Sequence, residues 1–266
     1  VKLKATDKPQ ELGPQDFVVV ALKAHQVGDT VDAMRSLLKP ETAILCAYNG
    51  VPYWYFHKHG GPFDGRQIEC VDPGGKQWKV LGPERGIGCV VYPAAEVTEP
   101  GVIHHEYGDK FPIGEPSGQS TPRAQALSKL FEASGLRAPV LDKIRDEIWL
   151  KLWGNVSLNP ISALTLATLD VICSEPGTRN VARMMMTEAK DIAEKLGVGA
   201  EETEEVAEEM IEAPAPEEGP VAAAAQMALL EDAGAIGNGA RKAQVDRKST
   251  RLNSSHMSES RMPSSA

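Results

Sequence analysis

The segment Asp16–Leu22, DFVVVAL, decides the fold class of the chain. Its continuous run of mostly β-branched apolar residues is typical of a β-strand that is buried on both faces in a parallel sheet. After it, apolar residues recur at helical spacing up to Pro40, and Ala43–Ala47, AILCA, predicts a second buried strand. The sequence therefore predicts a β-α-β unit and an α/β domain built on a parallel sheet.

Polar residues follow each of these two predicted strands. Lys23 comes directly after the first strand, and Asn49 and Gly50 follow the second. Ligands bind beyond the carboxyl ends of the strands in open parallel sheets, so these three residues are candidates for a ligand site. The alternative stays open that Lys23 is a solvated loop residue and that Asn-Gly is an ordinary turn.

A long segment between residues 50 and 86 is rich in glycine, proline and aromatic residues. Its length and composition indicate an irregular segment that is either functional or a structural cover. His57 and His59 lie in it, but no third ligand at a suitable spacing accompanies them. No metal site is therefore predicted.

Three further strands are predicted before the composition changes. They cover Ile87–Tyr92, Gly101–His105 and Lys110–Gly114, and the last two are expected to form a hairpin. Ala94 lies where the first of them ends, and a small residue there allows a ligand to approach closely. The polar segment Glu115–Thr121, EPSGQST, contains helix and strand breakers and is the predicted domain boundary.

Beyond this boundary the sequence predicts mainly helices. The predicted helices are Arg123–Ser134, Asp142–Val156, Ile161–Leu169 and Val181–Leu196, with a short extended segment at Arg137–Leu141. The Met, Ile and Leu residues of the last helix are interpreted as core. The predicted organisation is a partial α/β domain over residues 1–118 and an incomplete all-helical domain over residues 119–200.

A polar stripe crosses the second of these helices and continues beyond it. Lys151, Asn155 and Asn159 recur at intervals of four residues, which places them on one face of a helix. That face overlaps the edge of a broad apolar sector, so these groups turn toward whatever the apolar face contacts, where polar groups need partners. Two plainer interpretations stay open: Lys151 extends to water, and Asn159 caps a new helix that begins at Pro160.

The composition narrows the class of protein. With 266 residues, 24% charged residues and a net charge of −9, the chain is long enough for two modest domains, and no nucleic-acid or membrane partner is expected. The four cysteines are scattered without metal-site spacing, and no apolar run is long enough to span a membrane. A reduced, soluble, cytoplasmic protein is predicted. Because residue 1 is Val, the chain is expected to be incomplete at its start.

Four segments resemble the ketopantoate reductases (2-dehydropantoate 2-reductases). They are VVVALKAHQV at Val18–Val27, YNGVP at Tyr48–Pro52, GCVVYPAAEVTEPGVIHH at Gly88–His105 and IRDEIWLKLWGNVSLNPISALT at Ile144–Thr165. The resemblance covers roughly residues 16–197. It implies a Rossmann-type NADP-binding domain and a helical domain like that of 6-phosphogluconate dehydrogenase. The implied reaction is the reduction of ketopantoate to pantoate by NADPH, on the route to pantothenate and coenzyme A.

The resemblance also implies roles for single residues. Lys151 matches the catalytic lysine of the family, which gives a proton to the ketone oxygen while a hydride arrives from the nicotinamide. A lysine suits this role because a developing alkoxide needs a positive charge and a proton within hydrogen-bond reach. The family's substrate-binding amides are matched by Asn155 and Asn159. Its contacts with the cofactor are matched by Lys23, Asn49, Gly50 and Ala94.

The sequence departs from the family pattern in three places. The G-x-G-x-x-G turn, which holds the pyrophosphate in the family, is expected to be missing from this chain, which begins at Val1. Leu169 stands where some members carry another substrate-contacting Asn, and no counterpart of the later Ser-Met-Leu-Gln-Asp helix follows Gly197. Residues 201–266 are predicted to be a disordered or non-native tail, and Asp246–Ala266 is expected not to belong to the natural gene.

Two other functions are weighed beside this reductase. One is a related Rossmann-type 2-hydroxyacid or opine dehydrogenase, and the other is a catalytically inactive fragment. The predicted partner is a small 2-keto acid, and a homodimer is an open option. NADPH is the predicted cofactor.

Overall fold

The computed structural model describes residues 4–198. Within them the chain forms two compact units. The first contains the chain up to Val91 together with Asp109–Ile148, and the second contains Tyr92–Gly108 together with the chain from Trp149 onward. The predicted division near residue 118 stays a prediction, and the predictions for the tail lie outside the described residues.

Six strands and six α-helices occur in the described residues. The strands are β1 (Phe17–Val20), β2 (Ala43–Cys46), β3 (Gly86–Cys89), β4 (Ala94–Glu99), β5 (Val102–Tyr107) and β6 (Ile113–Gly114). The helices are α1 (Ala24–Met34), α2 (Lys76–Leu81), α3 (Pro122–Ala133), α4 (Ile144–Thr165), α5 (Leu169–Ser174) and α6 (Pro176–Lys195). None of the described helices is both long and apolar enough to cross a membrane.

A four-stranded sheet with the order β1-β2-β3-β6 forms the centre of the first unit. β1, β2 and β3 are parallel, and α1 connects β1 to β2, which confirms the predicted β-α-β unit. The central strands β2 and β3 are buried along their whole length. The prediction that the first strand is buried on both faces is wrong, because β1 lies at the edge of this sheet and Val19 is 52% exposed.

The predicted hairpin between Gly101–His105 and Lys110–Gly114 is also wrong. β5 pairs antiparallel with the preceding strand, β4, whereas β6 pairs antiparallel with β3. Pro100 and Gly101 form the turn between β4 and β5, and Gly101 has a φ of +81°. This proline and glycine suit the two central positions of a tight turn, since proline presets its φ and glycine tolerates a positive φ.

The irregular segment between β2 and β3 is a structural cover, which was one of the two predicted interpretations. Tyr53, Trp54 and Tyr55 in this segment are almost completely buried. A Cβ atom added at Gly86 would lie 2.3 Å from the Trp54 ring, and one at Gly88 would lie 3.1 Å from it. Glycine is therefore required at both positions of β3, because the indole packs directly against the strand backbone.

The first turn of α4 is anchored in the first unit by Ile144. A Cβ atom added at Gly114 of β6 would lie 2.6 Å from the Cβ of Ile144, and one at Gly88 would lie 2.7 Å from its Cγ1. The side chain of Ile144 is 1% exposed. The isoleucine thus fills the space that these two glycines leave, which fixes where the helix starts.

Arg145 anchors the same turn through hydrogen bonds. Its guanidinium donates to three backbone carbonyl oxygens, those of Tyr55 at 2.9 Å, Pro116 at 2.7 Å and His57 at 2.8 Å. The side chain of Arg145 therefore connects the irregular segment between β2 and β3 to the segment before α3.

α4 continues through Pro160 to Thr165 as one helix of 22 residues. The interpretation that Asn159 caps a new helix at Pro160 is therefore wrong. In the second unit, α4, α5 and α6 share a buried cluster of Leu158, Ile161, Ile172, Ala182 and Met186. The prediction that the apolar stripe of the last helix is core is confirmed at Met186, whereas Met184 and Ile192 are 63% and 45% exposed.

Candidate functional site

The predicted polar stripe lies on α4 within the second unit. Lys151, Asn155 and Asn159 are all half-buried, so none of them is a fully solvated surface residue. The amide nitrogen Nδ2 of Asn159 donates a hydrogen bond to Oδ1 of Asn155 at 3.3 Å. Because α4 does not restart at Pro160, Asn159 is an interior residue of the helix, and its amide belongs to the stripe.

The ammonium group of Lys151 lies against an aromatic ring. Its Nζ is 5.0 Å from the centroid of the Tyr92 ring, which is within the distance of about 6 Å at which a cation and a ring face attract each other. Tyr92 was not among the residues predicted from the sequence. Its position two residues before Ala94, which was singled out for the close approach of a ligand, was the one available signal.

Three predicted cofactor residues follow the carboxyl ends of two parallel strands of the sheet in the first unit. Val20, the last residue of β1, is in register with Cys46, the last residue of the parallel strand β2. The residues that follow, Lys23 after β1 and Asn49 with Gly50 after β2, therefore leave from the same carboxyl edge and are exposed. A Cβ atom added at Gly50 would meet nothing within 4 Å. At these strand ends Lys23 offers an ammonium group, Asn49 offers an amide, and Gly50 offers a backbone position with free space around it.

Ala94, the fourth predicted cofactor residue, belongs to the second unit. It begins β4 and pairs with Tyr107, whereas the prediction placed it at the close of the preceding strand. That strand, β3, already ends at Cys89. Ala94 is half-buried, and its small side chain is the feature on which the prediction rested.

The described residues contain one group of side chains with metal-ligand chemistry, on the β4–β5 hairpin. Nδ1 of His104 lies 3.7 Å from a carboxylate oxygen of Glu96 and 3.7 Å from one of Glu106. His104 is exposed and the two glutamates are half-buried, and acidic side chains near the surface commonly group in this way without a metal ion. His57 and His59 do not belong to this group.

Two family models match the chain. The one described as Ketopantoate reductase PanE/ApbA matches residues 1–60, and the one described as Ketopantoate reductase PanE/ApbA C terminal matches residues 143–236. The second match contains the whole polar stripe of α4. It also extends beyond residue 197, where the resemblance was predicted to end.

Relatives and solved structures agree with these matches. The 2-dehydropantoate 2-reductase of Mesorhizobium japonicum is 52% identical over 196 residues, which are 74% of this chain and 60% of that protein. A crystal structure assigned to the ketopantoate reductases, from Ralstonia solanacearum, has 31% identity and a TM-score of 0.73 and covers 96% of this chain and 81% of that chain. The chain spans less than two thirds of the length of the curated relatives that it matches.

A more distant structure shows the fold alone. D-mandelate dehydrogenase in complex with NADH has 19% identity and a TM-score of 0.56 and covers 74% of this chain and 59% of that chain. Together with the parallel strands of the first unit, these structures confirm the predicted α/β fold class, a Rossmann-like domain followed by a helical domain.

Proposed function

Since the chain belongs to the ketopantoate reductase family, we propose that it reduces 2-dehydropantoate to pantoate with NADPH in the cytoplasm. The observation that carries the proposal is the half-buried stripe of Lys151, Asn155 and Asn159 on α4, with Lys151 against the ring of Tyr92. Reduction of a ketone requires a proton at its oxygen, and binding of a keto acid requires groups that hold its other oxygens. The stripe offers both.

Lys151 is the proton donor in this proposal. As the ketone is reduced, negative charge develops on its oxygen, and a nearby ammonium stabilises that charge and then transfers a proton to it. This stabilisation is stronger where water is partly excluded, as it is around a half-buried side chain. A fully solvated lysine would stabilise the developing negative charge much less.

Asn155 and Asn159 bind the keto acid in this proposal. Their mutual hydrogen bond uses the Asn155 carbonyl oxygen and one Asn159 amide hydrogen. The amide hydrogens of Asn155 and the second amide hydrogen of Asn159 remain as donors, which suit a substrate carboxylate. The carbonyl oxygen of Asn159 remains as an acceptor, which suits a substrate hydroxyl. A donor and an acceptor side by side match a hydroxylated keto acid.

Lys23, Asn49 and Gly50 hold the dinucleotide, and Ala94 lies near its nicotinamide, in this proposal. The carboxyl edge of the sheet fits such a ligand, since dinucleotides bind beyond this edge in related folds. The ammonium of Lys23 suits a phosphate group, and Gly50 leaves room for a close approach to the backbone. When bound, NADPH supplies the hydride.

The proposed activity is tested by the oxidation of NADPH and of NADH in the presence of a panel of 2-keto acids. We expect the highest kcat/KM for 2-dehydropantoate with NADPH. The Mesorhizobium japonicum relative serves as the positive control. A preference for another 2-keto acid would indicate a related 2-hydroxyacid or opine dehydrogenase. Inactivity under conditions in which the relative is active would contradict the proposal.

Asn155→Ala and Asn159→Ala are each expected to raise the KM for the keto acid about 5-fold to 150-fold. Each variant removes one hydrogen bond to the substrate, worth about 1–3 kcal/mol, and leaves the proton donor in place. Steady-state kinetics at saturating NADPH measure the effect. Asn180→Ala on α6 is the control, since Asn180 is an exposed asparagine of the same unit. An unchanged KM in both stripe variants would remove these residues from the substrate site.

A further inference from the structure

We propose that Tyr92 is a positioning residue, whose ring holds the ammonium of Lys151 where it can give up its proton. The inference rests on the proposed function, because it takes Lys151 as the proton donor. Its basis is the distance of 5.0 Å between Nζ of Lys151 and the centroid of the Tyr92 ring. Both residues are half-buried and both belong to the second unit, although they lie far apart in the sequence.

The backbone that carries Tyr92 is restricted on two sides. Pro93 follows it, and a proline confines the residue before it to extended conformations. The base of the β4–β5 hairpin then packs against this proline, since a Cβ atom added at Gly108 would lie 3.2 Å from the Cα of Pro93. Pairing of Ala94 with Tyr107 begins directly afterwards. The ring of Tyr92 is thus attached to a well-defined part of the chain.

A lysine side chain benefits from such a partner. Its ammonium sits on a flexible four-carbon stem, and a lysine at the edge of an apolar surface normally extends its charge into water. The face of a tyrosine ring attracts an ammonium and gives it one preferred place. The position of Lys151 over the ring therefore differs from that of the solvated lysine in the plainer interpretation of the sequence.

Tyr92→Leu tests this role, with Tyr92→Phe as the matched control. Leucine removes the ring but stays apolar, whereas phenylalanine keeps the ring and loses only the hydroxyl. We expect Tyr92→Leu to lower kcat about 2-fold to 30-fold, with a much smaller change in the KM for the keto acid, and Tyr92→Phe to stay near the wild type. Tyr107→Leu removes another tyrosine of the same unit and should not reproduce this pattern. Tyr92→Met replaces the leucine variant if that variant does not fold.

The double variant with Lys151→Ala separates positioning from a purely structural role. If the ring acts through the ammonium, Tyr92→Leu should cause no further loss of kcat once Lys151 is alanine. A loss that persists in that background would overturn the inference, and so would an equal loss in Tyr92→Phe or an unchanged kcat in Tyr92→Leu. These results differ from a failure of the proposed function, which would appear as an inactive wild-type chain or as an undiminished kcat in Lys151→Ala and would remove the inference with it.

Discussion

Lys151→Ala is expected to lower the kcat for 2-dehydropantoate by about 10²-fold or more, which is the usual contribution of a general acid. Alanine offers neither the positive charge nor the proton that the developing alkoxide requires. The melting temperature should change little, because Lys151 is only half-buried and alanine favours the helix. Turnover and melting temperature measured on the same preparation check both statements.

Two controls sharpen this experiment. Lys151→Arg keeps the charge but holds its proton too tightly to transfer it, so it should leave kcat low while substrate still binds. Lys195→Ala removes an exposed lysine from the last turn of α6 and should leave kcat unchanged. A Lys151→Ala variant with near-wild-type turnover would end the assignment of this lysine as the proton donor.

Arg145→Ala is expected to lower the free energy of unfolding by about 3 kcal/mol or more, since hydrogen bonds to a charged group contribute about 1.5–3 kcal/mol each. Three backbone carbonyl oxygens lose their donor in this variant. The guanidinium carbon also lies 5.9 Å from the ring centroid of Trp54 and 5.5 Å from that of Tyr55. Burial lowers the pKa of Arg145, but an arginine keeps its charge in proteins.

Chemical denaturation of Arg145→Ala and Arg137→Ala tests this expectation. Arg137 also forms an ion pair, with Asp109, but the two side chains are 57% and 40% exposed. Exposed ion pairs contribute at most about 1 kcal/mol, so Arg137→Ala should be much less destabilised. Equal losses of unfolding free energy in the two variants would show that the three carbonyl contacts of Arg145 stabilise the protein no more than an exposed ion pair does.

The strands of the β-α-β unit were predictable because continuous apolar runs have few alternatives to burial. The polar stripe was predictable for a similar reason: a spacing of four residues fixes a helical face whatever the helix packs against. The β4–β5 hairpin was not predicted from the sequence. Val102 and Ile103 are apolar enough to suggest a covered strand, yet they are 49% and 69% exposed on β5. The turn at Pro100-Gly101 joins β5 to β4 instead, and a proline followed by a glycine is the local signal for such a turn.

A helix start at Pro160 was one of the interpretations left open, and it was based on a local signature that the structure overrides. A proline inside a helix leaves the carbonyl four residues earlier, here that of Val156, without its hydrogen bond. Val156 and Pro160 are both exposed, so water can satisfy this carbonyl at little cost.

The role of Tyr92 could not be predicted, for another reason. Its contact with Lys151 joins distant parts of the sequence, and no local pattern encodes such a pair.

The division of the chain between the two units has a consequence for protein engineering. The chain passes from one unit to the other three times, after Val91, Gly108 and Ile148. A fragment that begins at Trp149 would therefore contain Lys151 but not Tyr92, and it would lack the whole β4–β5 hairpin. If related proteins exchanged only the continuous segment from Trp149 onward, the exchange would replace Lys151 but leave the Tyr92 ring behind. A useful exchange therefore has to transfer Tyr92–Gly108 as a second segment.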